Sequence, residues 1–216
     1  MKVNQDASLD CHTNPMVMNR KATSLTKDQY YHLWIAASKD QLFFSSDLDK
    51  AFFISLLQDC LSPRKRLSNR LMNDANYASS IDLIAFSLTD FGVNLLVCAV
   101  STASIQALGQ QLLTEYADYI QAQQSWEVVP FHSIFVHDLL ADEHEALAIS
   151  REIHLLHDDW EGDRYSSIGF YLQDRRGDWM QAWHLANLFH NDSFWYRQFM
   201  LDDSPLGVRQ FEFIET

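Results

Sequence analysis

Apolar positions recur along this chain with the two periods that distinguish strands from helices. Residues 30–37 place aromatic and branched side chains between polar flanks, which is typical of a β-strand. Two further apolar runs, 81–88 and 93–100, are separated by Thr-Asp-Phe-Gly and predict a β-hairpin. A fourth apolar run, 131–136, predicts another strand. The pattern therefore predicts four strands, two of them joined directly.

Helical periodicity fills the intervals between these strands. Ser46 or Asp47 can cap a helix that ends at Ser62 and Pro63. Its apolar positions on one face are Ala51, Phe52, Leu56 and Leu57. Ser104 opens a longer helix whose apolar residues recur every three or four positions up to Ile120. Beyond the fourth strand, helices are predicted at about 142–157, 178–190 and 192–200.

The order of these elements predicts an α+β fold of ferredoxin-like type, in which helices pack on an antiparallel sheet. We expect a flexible N-terminal tail over residues 1–26, the α+β domain over 27–140 and a helical C-terminal extension over 141–216. No apolar run approaches the ~18 residues of a membrane span, and the N-terminus lacks a signal-peptide core. Three cysteines, Cys11, Cys60 and Cys98, share no metal-like spacing, so we expect a reduced, cytoplasmic protein.

Charge changes this picture because the net charge of −13 is confined to the second half of the chain. Residues 1–100 contain ten basic and ten acidic side chains, whereas residues 101–216 contain six and nineteen. Nucleic-acid affinity depends mainly on cations placed against phosphates, so the acidic half disfavours DNA. The densest basic cluster is Arg64, Lys65, Arg66 and Arg70, which is either a DNA contact or a solvated loop.

Several short segments occur in the order found in one enzyme family. They begin with Tyr31-His32 on the first strand, and then Phe43-Phe44 with the acidic pair Asp47 and Asp49. The central segment is AFSLTDFGVNLL, residues 85–96. It is followed by LLTEYADYIQAQ, which contains Tyr116 and Tyr119. The later segments are Trp126-Glu127, Phe131-His132, Glu152-Ile153-His154, Tyr165-Ser166-Ser167-Ile168, Tyr171-Leu172 and Tyr196-Arg197-Gln198-Phe199.

In this order the segments resemble the single-tyrosine, HUH-type transposases, including those associated with repetitive extragenic palindromes. The resemblance covers roughly residues 30–200. It implies a fold for DNA strand transfer through a phosphotyrosine link, with Tyr116 as the first candidate for the nucleophile position and Tyr119 as the next.

The resemblance also reveals what this chain lacks. Family members carry two histidines, one residue apart on a strand, which bind a divalent ion such as Mg²⁺ or Mn²⁺. Here those positions are Gly92 and Asn94. Glycine offers no ligand atom and a lone amide oxygen is a poor anchor, so we expect that the metal and the cleavage activity are lost.

A replacement metal site is the alternative. His154, His157, Asp158 and Asp159 form the densest group of potential ligands, and the two histidines could share a helix face. Helix capping and packing are the favoured interpretation, because histidine is favourable at a helix C-terminus and the family has a structural histidine at the position of His154. Ser166 and Ser167 lack the Gly-x-Ser-x-Gly turn of a hydrolase.

The C-terminal aromatic residues allow base stacking or core packing. Core packing is favoured because no cation is interleaved between Trp179 and Trp195.

Three functions stay open. The first is a catalytically inactive transposase-like protein that binds single-stranded or hairpin DNA. The second is an acidic regulatory module that binds a basic protein and no nucleic acid. The third is an active tyrosine transposase with a displaced metal site.

Overall fold

Four antiparallel strands form the single sheet of the described chain. The computed structural model describes residues 29–37, 41–63, 76–123 and 133–202. The strands are β1 (Gln29–Ala37), β2 (Ile81–Thr89), β3 (Gly92–Ala99) and β4 (Ser133–Leu139). They lie in the order β2-β3-β1-β4, and each neighbouring pair is antiparallel. The α+β class expected from the sequence is confirmed.

Helices cover both faces of this sheet. The first face carries α1 (Asp47–Leu61) and α2 (Thr102–Gln123). The second face carries α3 (Glu143–His154), α4 (Ile168–Tyr171), α5 (Trp183–Ala186) and α6 (Ser193–Leu201), with a 3₁₀ turn at Asn187–Phe189 after α5. None of the helices in these stretches has the length and apolar character needed to cross a membrane.

Burial on both sides explains why β2 and β3 are almost continuously apolar. Successive side chains on a strand point to opposite faces. Val93, Leu95 and Val97 join the core beneath α1 and α2, whereas Leu96 and Cys98 join the core beneath α3 to α6. Neither face of β3 can therefore tolerate a charged side chain along most of its length.

The N-terminus of α1 follows the predicted capping. The side chain of Ser46 accepts a hydrogen bond from the Asp49 backbone N–H at 3.3 Å, and Ser62 is the C-cap. Asp49 Oδ2 in turn accepts from the Ser45 backbone N–H at 3.0 Å. The predicted buried face is shifted, however, because Ala51 is exposed and Phe53 is fully buried.

The elements after β4 differ most from the sequence-based expectations. Helix α3 ends at His154, three residues before the predicted end, and the helix predicted at 178–190 is only α5 and the 3₁₀ turn. Helix α4 was not predicted at all. These segments are short and are held by contacts with the sheet, such as Gln181 N–H donating to Leu83 O at 2.8 Å.

Candidate functional site

The two positions that correspond to the family's metal ligands lie at the start of β3. Gly92 pairs with Ala36 of β1, and Asn94 pairs with Trp34 of β1 and Ser87 of β2. Asn94 Oδ1 lies 3.1 Å from His32 Nε2 on the neighbouring strand, so its amide is engaged within the sheet. Asn94 is therefore a structural partner of His32 in this arrangement.

At Gly92 the backbone leaves no room for a side chain. A Cβ atom added there would lie 2.3 Å from the carbonyl oxygen of Ile35 and 3.1 Å from the Cα atom of Ala36. Both obstacles are backbone atoms of a central strand, which cannot move aside as a flexible side chain does. The close approach of the two strands at this position is thus one that only glycine permits.

The second group of potential ligands is divided by the fold. His154 lies inside the protein, whereas His157 lies beyond the end of α3, so the two histidines do not share a helix face. His157 Nε2 is 3.2 Å from Leu88 O and 3.6 Å from Asp163 Oδ2. Across the described residues, no group of three or more His, Cys, Asp or Glu side chains could hold a metal ion.

Tyr116 lies on the opposite face of the sheet from Asn94. It is fully buried and its hydroxyl donates to Phe43 O at 2.8 Å. Its ring stacks on Phe43 at a centroid distance of 5.0 Å. Burial, with the charge of Asp49, raises the pKa of the Tyr116 phenol well above its usual value. The structure does not bring this tyrosine to Gly92 and Asn94 or to the surface.

Tyr119, the alternative nucleophile position, is half-buried one turn further along α2. Its hydroxyl donates to Asp49 Oδ1 at 3.2 Å, and its ring stacks on Phe52 at 3.8 Å. Burial and the neighbouring Asp49 carboxylate raise the pKa of Tyr119. Both tyrosines therefore join α2 to α1 and to the segment before it.

Replacing Tyr116 with phenylalanine should destabilise the fold, because the buried carbonyl of Phe43 loses its hydroxyl donor. We expect a loss of about 1–2 kcal/mol in the free energy of unfolding, measured by urea denaturation. Tyr119→Phe is the matched control, with a smaller loss, because its hydroxyl is partly solvated. A DNA-nicking activity abolished by Tyr116→Phe alone would contradict this structural role.

Three of the resembling segments converge on one buried hydrogen-bond network. His154 Nδ1 lies 2.8 Å from Tyr196 Oη, and His154 Nε2 lies 2.6 Å from Ser167 Oγ. Ser167 Oγ also accepts from the Phe86 backbone N–H at 2.8 Å. The ring of Tyr171 stacks on Tyr196 at 4.4 Å. The network therefore joins α3, α4 and α6 to β2.

This network resembles a nucleophile–base pair in geometry, but its environment excludes that role. Ser167 and His154 are completely buried, so no substrate can reach the Ser167 hydroxyl. Burial lowers the pKa of the His154 imidazole to about 3, and burial raises the pKa of Tyr196. A neutral histidine between two hydroxyl groups is a satisfied core residue, as the capping and packing interpretation expected.

Acidic side chains outnumber basic ones among the described residues. The described stretches contain six basic and twenty acidic side chains. Three cations form ion pairs: Lys50 with Asp90, Arg164 with Asp47, and Arg197 with Glu161. Two others donate to backbone carbonyl groups: Arg151 to Met200 and Asp202, and Arg175 to residues 163, 164 and 166.

Several predicted features lie outside the described residues. These are the basic cluster Arg64, Lys65, Arg66 and Arg70, the tail at 1–26, and the resembling segments at 126–127 and 131–132.

The C-terminal aromatic residues divide into two groups. Trp179, Phe189, Tyr196 and Phe199 are buried, as core packing predicts. Trp183, Phe194 and Trp195 are 52%, 55% and 46% exposed, so core packing does not describe all seven. Sequence periodicity could not reveal this division, because all seven residues fall within the segments predicted to be helical.

No family model, no curated protein and no solved structure matches the chain.

Proposed function

We propose that this protein is a catalytically inactive, transposase-like protein that is retained for binding single-stranded or hairpin DNA. The observation that carries the proposal is the meeting of His154, Ser167 and Tyr196 in one network. These residues belong to three separate segments that resemble segments of the transposase family and occur in the same order. Their convergence supports a scaffold shared with that family.

The element order supports the same scaffold. A strand-helix-strand-strand-helix-strand succession with the antiparallel strand order β2-β3-β1-β4 has the connectivity of a ferredoxin-like sheet. The proposed absence of catalysis is supported by Gly92, where a side chain would meet the backbone of β1, and by the burial of Tyr116. In the proposed function, the basic cluster at 64–70 contacts the phosphates of the DNA.

Fluorescence anisotropy with hairpin, single-stranded and duplex oligonucleotides tests the DNA proposal. We expect hairpin-selective binding that weakens with salt and does not require magnesium. Replacing Arg64, Lys65, Arg66 and Arg70 with alanine should reduce the slope of log affinity against log salt by up to about three units. A matched variant removes four other cations, Lys2, Arg20, Lys21 and Lys27. Absence of binding at low salt, or equal effects of the two variants, would overturn the assignment to the basic cluster.

A second candidate function is supported by the charge of the described surface. The described residues contain twenty acidic and six basic side chains. Five of the six basic side chains form ion pairs or donate to carbonyl groups. Such a surface repels phosphates and attracts a basic protein. A salt-sensitive complex with a basic protein, together with no oligonucleotide binding at low salt, would favour this candidate.

A further inference from the structure

A small aromatic cavity lies between the short helices of the second layer. Its volume is about 130 Å³. It is walled by five aromatic rings, those of Phe170, Tyr171, Trp183, Phe189 and Tyr196. A cavity of this size suits one small chemical group.

The backbone around the cavity adopts an unusual conformation. Gln173, His190 and Asn191 have φ values of 67°, 55° and 55°, and they are the non-glycine residues with positive φ among those described. Gln173 and Asn191 line the cavity, and Gln173 Nε2 donates to Asn191 O at 2.6 Å. Left-handed conformations are unfavourable for residues other than glycine, and two of these three residues line the cavity.

The wall is held in place by contacts outside the cavity. Trp183 stacks on His184 at a centroid distance of 4.1 Å, and its Nε1–H donates to Gln181 Oε1 at 2.8 Å. His184 lies 2.9 Å from the carboxylate of Asp82. Tyr196 is anchored from behind by His154. The cavity is therefore preorganised rather than dependent on a ligand for its shape.

One carboxylate supplies the charge of the cavity. Asp192 is the acidic residue of the lining, and its Oδ1 accepts from the Phe194 N–H at 2.8 Å. Asp192 is exposed, so its carboxylate is open to solvent and to a ligand. The N-terminus of α6 contributes a partial positive charge of about one half, which is smaller than the full charge of the carboxylate.

We propose that this cavity binds a guanidinium or alkylammonium group, with Asp192 as its counter-charge and the aromatic rings as its walls. Aromatic rings attract cations through their quadrupole, whereas anions are repelled by both the rings and the carboxylate. The excess of acidic side chains on the described surface draws cations towards the site. This site is independent of the proposed DNA contact at 64–70.

Titration with the amide of arginine acetylated at its α-amino group (arginine amide below), followed through the Trp183 indole N–H resonance, tests the site. Citrulline amide acetylated in the same way is a neutral probe of the same shape. We expect a saturable shift with arginine amide and none with citrulline amide. Asp192→Asn should weaken binding about five- to tenfold, while retaining the helix cap because asparagine caps as well as aspartate. Asp174→Asn is the matched control, since it removes one exposed charge outside the lining.

The source of the cation is distinguished by a second probe. The second probe is a peptide whose only charged group is one arginine side chain. It should bind more tightly than arginine amide if the natural ligand is a protein side chain, and equally tightly if the natural ligand is a free small cation. The proposal is overturned if arginine amide gives no saturable shift or if citrulline amide gives the same shift. Equal weakening by Asp192→Asn and Asp174→Asn would also overturn it, because the effect would then be general surface charge.

Discussion

Placing a histidine at position 92 is expected to destabilise the protein and not to create a metal site. A Cβ atom there lies 2.3 Å from the Ile35 carbonyl oxygen, so the central strands β1 and β3 would have to separate. Because β3 carries core residues on both faces, its displacement disturbs two layers of packing. We expect Gly92→Ala alone to lower the free energy of unfolding by about 3 kcal/mol or more, measured by urea denaturation.

Gly162→Ala is the matched control for this experiment. A Cβ atom at Gly162 would approach Asp159 Oδ2 at 2.9 Å, but Gly162 is exposed and the obstacle is the end of a side chain that can rotate away. We expect a change within about 0.5 kcal/mol. If Gly92→Ala were as well tolerated as Gly162→Ala, the close approach of the strands would not be a constraint on this fold.

Metal binding by a further variant tests whether supplying both histidines is enough to form a metal site. The double variant Gly92→His, Asn94→His supplies both histidines of the family's motif. We expect it to bind Mn²⁺ no better than the unmodified protein in calorimetric titration, because the backbone of β1 leaves no room for a side chain at position 92. Tight Mn²⁺ binding by a stably folded double variant would contradict this expectation.

Mild acid is expected to destabilise the protein through His154. The pKa of its imidazole is about 3 in the folded state, against an ordinary value of 6.5. Below pH 6.5 the unfolded chain therefore binds a proton that the folded protein does not. The free energy of unfolding should fall by up to about 1.4 kcal/mol per pH unit between these two values as the pH decreases, and this contribution is constant above them.

His154→Gln tests the origin of that slope. The variant loses stability at neutral pH, by about 2–4 kcal/mol, because Ser167 and Tyr196 lose the ring that joins them. The slope of its unfolding free energy against pH should also decrease between pH 7 and pH 5, by up to about 1.4 kcal/mol per pH unit, measured by urea denaturation at each pH. The exposed His190, changed to glutamine, is the control. An unchanged slope in His154→Gln would show that other groups cause the acid sensitivity.

Local sequence signals were sufficient where an element is specified by its own residues. Strand β1, the β2–β3 hairpin and the caps of α1 at Ser46 and Ser62 agree with the pattern of polar and apolar positions. Helix α2 begins two residues before the predicted Ser104, and β4 is displaced towards its C-terminus. Such shifts at element ends are expected, because terminal residues make few of the contacts that decide their state.

Local signals failed where long-range contacts decide the structure. Helix α4 spans one turn, too short to produce a period, and the hydrogen bond from the Tyr171 hydroxyl to Ile84 O joins it to β2. The exposure of Trp183, Phe194 and Trp195 depends on which helix faces meet the sheet. No periodicity within these helices contains that information.

By itself, the sequence determined the α+β class, the acidic second half and the absence of a His-x-His pair at Gly92 and Asn94. These properties depend on residue identity and on local spacing. Only the tertiary structure decided that Gly92 is required by the Ile35 carbonyl, that Tyr116 is buried and that Asp192 lines an aromatic cavity. The physical reason is that each of these features joins residues distant in the chain, and their distances are set by the packing of the sheet and its two helical layers.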